Sequence, residues 1–172
     1  MLFEISQPAK ILKARTAVVW LRVLSSLAWI DSAFIGKDAK LAPPFLHGSE
    51  LASRISGTFV HTALDSRIVQ LLTWYVLPHA KLFALLIAAA DTAIGISLMI
   101  GLCVRLGAAL AILRALVNIA VAGGAGVDTV GYNGMLILSA GICLATAAGR
   151  KFGLDGQLIT RFPGSAALRL IA

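Results

Sequence analysis

The stretch from His79 to Gly124 limits what this chain can become. His79–Cys103 is almost continuously apolar, Val104–Gly107 (VRLG) reads as a tight turn, and Ala108–Ala122 returns as a second apolar run. A bilayer core is crossed by about 20 apolar residues at about 1.5 Å rise each, so the pattern predicts a hairpin of two membrane-crossing helices. Each arm carries one charge inside it, Asp91 on the first and Arg114 on the second. With the turn centred near Cys103, Asp91 lies twelve residues before it and Arg114 eleven after. Both charges therefore sit at one depth, roughly mid-bilayer. A lone charge there costs on the order of 2.5–3.5 kcal/mol even on lenient insertion scales, whereas two opposite charges at one depth satisfy each other. The spacing predicts an Asp91–Arg114 pair inside the bundle, with Arg22 or Asn118 nearby.

The rest of the chain agrees with a membrane environment. Hydrophobic residues make up 59% of the 172 positions and charged residues 13%, against about 25% charged in a soluble domain; the mean hydropathy is +0.90. One all-α domain follows, a four-helix transmembrane bundle. The formal charge of +7 does not require nucleic acid, because several basic residues flank apolar spans, where they meet lipid head groups. Cys103 and Cys143 fall in apolar helix positions without a Cys or His at ligand spacing, so they read as packing residues and no metal or haem site is expected.

In chain order, Lys10, Lys13 and Arg15 precede an apolar run at about 16–36. A basic flank before an apolar run also describes a signal peptide, but this run is long and no small-residue cleavage site follows it. It is read as the first span. Arg22 and Asp31 lie nine residues apart within it, on opposite sides of the helix, and do not pair. The segment 37–79 holds Pro43, Pro44 and Pro78 and is too polar to span. It predicts short amphipathic helices at the outer interface, one capped by Ser49 with Leu51, Ile55 and Phe59 on its apolar face. Another begins at Asp65–Ser66 and carries Ile68, Leu71, Leu72 and Tyr75. Trp74 and Tyr75 suit an interfacial aromatic belt. The remaining spans are placed at about 80–103, 106–122 and 131–149. The last follows a Gly-rich turn, Gly123–Gly131, with Asp128 or Thr129 as its cap. Small-residue stripes, Gly107/Ala111/Ala115 and Gly141/Ala145/Gly149, are expected to pack helices closely. Lys10, Lys13, Arg15, Arg105, Arg150, Lys151 and Arg161 gather on one side of such a bundle, which favours cytoplasmic termini. Lys37, Lys40, Arg54, Arg67 and Lys81 fall on the other, as a largely solvated face able to attract an anion.

Tyr75–Gly107 (YVLPHAKLFALLIAAADTAIGISLMIGLCVRLG) resembles the core of the DoxD/DoxX membrane proteins. Asp91 is followed by the Gly95, Gly101 and Arg105 pattern, Leu21–Arg22–Val23 fits the family's early arginine, and Ala148–Asp155 (AGRKFGLD) fits its glycine-arginine, leucine-aspartate close. The similarity covers roughly residues 15 to 160 and is nearest to the DoxD branch, the membrane subunit of thiosulfate:quinone oxidoreductase.

The resemblance implies a plasma- or inner-membrane subunit that passes electrons from thiosulfate, giving tetrathionate, to a membrane quinone as acceptor. It also implies a DoxA-type second subunit, and homo-oligomers are open. No CxxC or flavin fingerprint is visible in the chain. Quinone chemistry needs a lipid-accessible cleft, groups that hydrogen-bond two carbonyl oxygens, and a proton route. Arg22, Asp31, Asp91, Arg114 and Asn118 are the polar groups within the spans that could supply these. The structural alternatives are a bundle-locking Asp91–Arg114 ion pair and an interhelical hydrogen bond at Asn118. His47, His61 and His79 on the outer side could move protons or contact an anion, or be plain surface histidines. Two other functions compete: a non-catalytic membrane anchor or assembly partner of a redox protein, and a small transporter, for which no broken helix or inverted repeat is evident.

Overall fold

Lipid offers backbone groups no hydrogen-bond partner, so a long apolar run must satisfy its own, and the helix does so within one segment. The computed structural model describes residues 7–35, 39–146, 148–150, 153–162, 164–165 and 171. Four of its helical segments are long and apolar enough to cross a membrane. They are built on α1 (Gln7–Ile30), prolonged by a wide π turn at Asp31–Ile35, and on α6 (Ala80–Ile100), α7 (Val104–Ala122) and α8 (Val127–Thr146). Among the described residues there is no strand. Glu4, Lys37, Asp38, Lys151 and Arg169 lie outside the described residues.

Several expected boundaries move. The turn between α6 and α7 is Gly101–Cys103, and Val104 already opens α7. Gly101 ends α6 at φ 72° and Cys103 turns the chain at φ 52°, so Cys103 is a linker residue and not a helical one. A side chain at Gly101 would be strained by that φ, and its Cβ would stand 2.5 Å from Arg22 Nη1 and 2.7 Å from Gly153 Cα. The helix α8 starts at Val127 and stops at Thr146, which places Asp128 inside its first turn instead of at a cap. Gly123–Ala125 forms one 3₁₀ turn, which leaves Gly126 alone to break the chain between α7 and α8.

Each long helix packs on two others. α1 lies against α6 and α8, and α7 lies against α6 and α8, closing a four-membered ring. The core between them is Trp29, Ile94, Leu98, Val104, Ala108, Ala111, Ala140, Cys143 and Ala148. The Gly107/Ala111/Ala115 stripe is buried, as expected of a seam. The second stripe is not one seam: Ala145 is exposed, Gly141 only half-buried, and a Cβ on Gly141 would meet nothing. α8 instead turns Asn133, Ala140 and Cys143 inward, because the positions facing α7 and α1 decide which side is covered.

The segment between α1 and α6 covers one end of the ring. It consists of α2 (Pro43–Leu46), α3 (Ser49–Arg54), a π turn (Ile55–Phe59), α4 (Val60–Thr62), α5 (Ser66–Leu71), a π turn (Leu72–Val76) and a 3₁₀ turn (Leu77–His79). From Ser66 the helical backbone continues into α6, so the second apolar segment is Ser66–Ile100, longer than the predicted span. Asp65 caps α5, accepting from the Arg67 amide at 2.7 Å. Ser49 is not a cap: Gly48 holds that position, and the Ser49 hydroxyl donates back to the Pro44 carbonyl at 2.9 Å. Phe45, Leu51, Ile55, Leu72 and Val76 bury themselves with Ala84 of α6 as a second apolar core.

Candidate functional site

Between this second core and the adjoining ends of α1 and α7 lies a cavity of about 710 Å³. Phe45, Phe59, Leu72, Phe83 and Ile87 make its apolar wall. Asp31, Ser32, Lys40, Arg54, Arg114 and Asn118 make its polar end. All three π turns contribute to the lining, through Asp31 and Ser32, Ile55 and Phe59, and Leu72 and Val76. Such turns widen a helix by one residue and recur at functional sites. Leu71 and Val117, also in the lining, are 55% and 47% exposed, and Asp31 is exposed as well. The cavity therefore opens between α5, α7 and the end of α1, at the level where α7 is still an apolar membrane helix.

Asp91 stands behind the polar end, wholly buried at 0% exposure. Arg114 Nε donates to its Oδ1 at 3.1 Å, so the charges predicted to share a depth do meet. Its other oxygen, Oδ2, takes the Lys40 ammonium. Lys40 gets there because residues 40 and 41 lie back along the π turn: the Lys40 amide donates to Ser32 O at 3.2 Å and the Leu41 amide to Ala33 O at 3.0 Å. Lys40 Nζ also donates to Ser32 Oγ at 2.5 Å. Arg114 Nη1 reaches Asn118 Oδ1 at 2.9 Å. Asn118 Nδ2 then donates to Asn133 Oδ1 at 3.3 Å, and Asn133 Nδ2 to Thr129 O at 2.8 Å. One hydrogen-bonded row thus joins the π turn after α1, the segment between α1 and α6, α6, α7 and α8. Burial pushes the Lys40 ammonium below the ordinary lysine range; Asp91 opposes that shift, and the Arg114 and Arg54 charges add to it. Arg54 also carries its own partner, donating to Glu50 Oε1 through Nη2 at 2.5 Å.

The candidate residues thus separate. Asp31, Arg114 and Asn118 line the cavity and Asp91 backs it, but Arg22 does not join them. It is buried, 2% exposed, near the α6–α7 turn, where Nη1 donates to Ala148 O at 2.9 Å. Asp155, on α9 (Leu154–Arg161), is buried beside it. Its carboxylate accepts from the Cys103 amide at 2.6 Å and the Val104 amide at 3.0 Å, and its own amide donates to Gly101 O at 2.9 Å. Asp155 is thereby the cap of α7, placed on free N–H groups at the positive end of the helix dipole. Burial raises the Cys103 thiol, with Asp155 adding to it, which works against a reactive thiolate. His47, His61 and His79 are exposed and none lines the large cavity. His79 borders a separate depression of about 380 Å³ with Pro78, Lys81, Leu82 and Leu85.

A family model described as "TQO small subunit DoxD" matches residues 18–171. The chain belongs to the DoxD family. Comparison with curated proteins and with solved structures gave no match. The DoxD family is named for the small subunit of thiosulfate:quinone oxidoreductase, and with four apolar helices the chain is a multi-pass membrane protein. Motif residues of this DoxD chain lie at separate places in the bundle. Asp91 bonds to Lys40 and Arg114 of the cavity lining, whereas Arg22, Gly101, Gly149 and Asp155 interlock at the far end. Sequence reasoning missed Lys40, read as part of the solvated face, and Asn133. Asn133 carried a signal, since a polar residue inside an apolar span is itself a reason to look for a partner. Lys40 carried none, because only the doubled-back chain brings it to Asp91.

Proposed function

We propose that the chain is the membrane subunit through which a thiosulfate:quinone oxidoreductase delivers electrons from thiosulfate to a membrane quinone, with the quinone bound in the cavity beneath the outer segment. The observation that carries this reading is the cavity itself. Small-molecule sites are concave, mostly apolar, about 300–1,000 Å³ in size, with a few polar groups fixing orientation. Here aromatic and aliphatic walls face one end furnished with Lys40, Arg114 and Asn118. Lys40 and Arg114 carry donors suited to a quinone carbonyl oxygen. The opening at Leu71 and Val117 admits a ligand from the bilayer, which suits an isoprenoid-tailed molecule.

The donor of electrons is then a partner, a DoxA-type second subunit that handles thiosulfate, and the outer segment is the surface nearest the cavity for it to approach. The bias of the basic residues supports an orientation with both termini in the cytoplasm, in a plasma or inner membrane. The test is photolabelling of the purified complex with an azido-quinone. Label on peptides containing Phe45–Phe59 and Val117–Val121, removed by excess decylubiquinone, is the expected result. Label confined to the partner subunit, in an active complex, would instead make this chain its membrane anchor.

A further inference from the structure

Oxidation of two thiosulfate ions to one tetrathionate releases two electrons and no protons, whereas reduction of a quinone to a quinol takes up two electrons and two protons. On the reading just given, both protons must come from water through protein groups at the cavity's polar end. Arg114 does not release a proton in a protein, Asn118 does not titrate, and Asp91 is sealed from solvent. Lys40 differs from all three. It lines the cavity, keeps 14% of its side chain accessible, and is gripped by Asp91 on one side and Ser32 on the other.

We propose that Lys40 is the proton donor to the bound quinone, recharged from the outer side past Ser32 and Asp31. This rests on the quinone reading of the cavity. In each transfer an N–H bond of the ammonium breaks, its electron pair stays on Nζ, and an O–H bond forms at the quinone oxygen. The neutral amine keeps its place through Asp91 and Ser32 and takes a proton from water at the mouth, where Asp31 is exposed and lines the cavity. Two such deliveries complete one turnover. The groups that face Lys40 set its readiness. Asp91 from α6 favours the ammonium, and burial together with Arg114 from α7 and Arg54 from α3 favours release; Asp31 from the end of α1 shares the lining. A general acid is most useful when it neither holds its proton too tightly nor loses it before the reaction.

The experiment uses the complex of this chain with its partner subunit, and compares wild type, Lys40→Arg and Ser32→Ala. Equilibrium binding of decylubiquinone and thiosulfate-driven decylubiquinone reduction across pH are measured on the same samples. Lys40→Arg keeps the cation and its hold on Asp91 but cannot donate. It should bind the quinone within about threefold of wild type and reduce it about 100-fold more slowly, the usual worth of a general acid. Ser32→Ala removes only a hydroxyl, so it should fold and bind normally while its pH profile shifts and turnover slows. Wild-type turnover in Lys40→Arg, or parallel loss of binding and turnover, would overturn Lys40 as donor. So would an unchanged pH profile in Ser32→Ala, which stays informative should Lys40→Arg not fold. Failure of every sample, wild type included, to bind decylubiquinone would overturn the cavity reading itself and the proposal with it.

Discussion

Asp91 and Arg114 meet through Oδ1 and Nε at 3.1 Å, but Asp91 is not Arg114's alone, since Lys40 holds its other oxygen. That asymmetry changes what each substitution should cost. Asp91→Asn strands two cations, and breaking a buried pair from one side typically costs about 3–5 kcal/mol. Arg114→Leu leaves the carboxylate still paired with Lys40 and should cost clearly less. The Asp91→Asn/Arg114→Leu double variant should fall below the sum of the singles, with Lys40 as the remaining charge. Thermal unfolding of purified protein in detergent gives the order. Equal losses for the two single variants would remove the idea that Lys40 shares the carboxylate.

Val117 lines the cavity and is half exposed. A larger side chain there has room to be accommodated without disturbing the core. Val117→Trp should therefore leave the melting temperature close to wild type and weaken decylubiquinone binding by about tenfold, equivalent to about 1.4 kcal/mol. Unchanged affinity would place the ligand's entrance elsewhere.

At the opposite end, Asp155→Ala removes the acceptor for two amides of the α7 start. Loss of a helix cap costs about 0.5–2 kcal/mol, and leaving Cys103 and Val104 amides unsatisfied puts this case toward the upper part of that range. The melting temperature should fall, while quinone affinity per folded molecule stays the same because the cavity lies at the other end of the bundle. A selective loss of affinity at unchanged stability would show the two ends to be coupled.

Lys40 lies outside the spans, and burial lowers its proton affinity in the fold, with Asp91 opposing. At pH values between the lowered and the ordinary lysine range the unfolded chain binds this proton and the folded one has released it. Stability contributed through Lys40 therefore rises with pH across that interval: it is complete above the ordinary lysine value and is lost as pH falls through the lowered one. Melting temperatures measured into the alkaline range should show this rise in wild type and not in Lys40→Met. The same slope in both proteins would contradict the assignment.

Sidedness is open to labelling. Ser56 is exposed in the segment between α1 and α6, and Arg161 at the end of α9. In intact cells a membrane-impermeant maleimide should react with Ser56→Cys and reach Arg161→Cys only after the membrane is opened. The reverse pattern would invert the proposed orientation.

The membrane bundle and the Asp91–Arg114 meeting were legible in the chain read in line. Both follow from one-dimensional quantities: the length of an apolar run fixes the number of crossings, and equal distances from a turn fix equal depth. The helix start at Asp65 was legible for a similar reason, since a cap acts on amides two or three residues away. Exact turns were less so. Val104–Gly107 reads in sequence as the α6–α7 turn, but Asp155, fifty-one residues beyond Val104, supplies the carboxylate that lets α7 begin at Val104. Which polar residues share a site depends on packing. Arg22 and Asp31 belong to one helix and serve opposite ends of the bundle. Lys40, in a loop with no marking pattern, is folded back along Ser32 and Ala33 onto a carboxylate of another helix. The cavity is likewise invisible in any one segment. It is the space left where three widened helical turns and the outer end of α7 fail to close on one another, and space between elements is a property of their packing, not of the residues read in line.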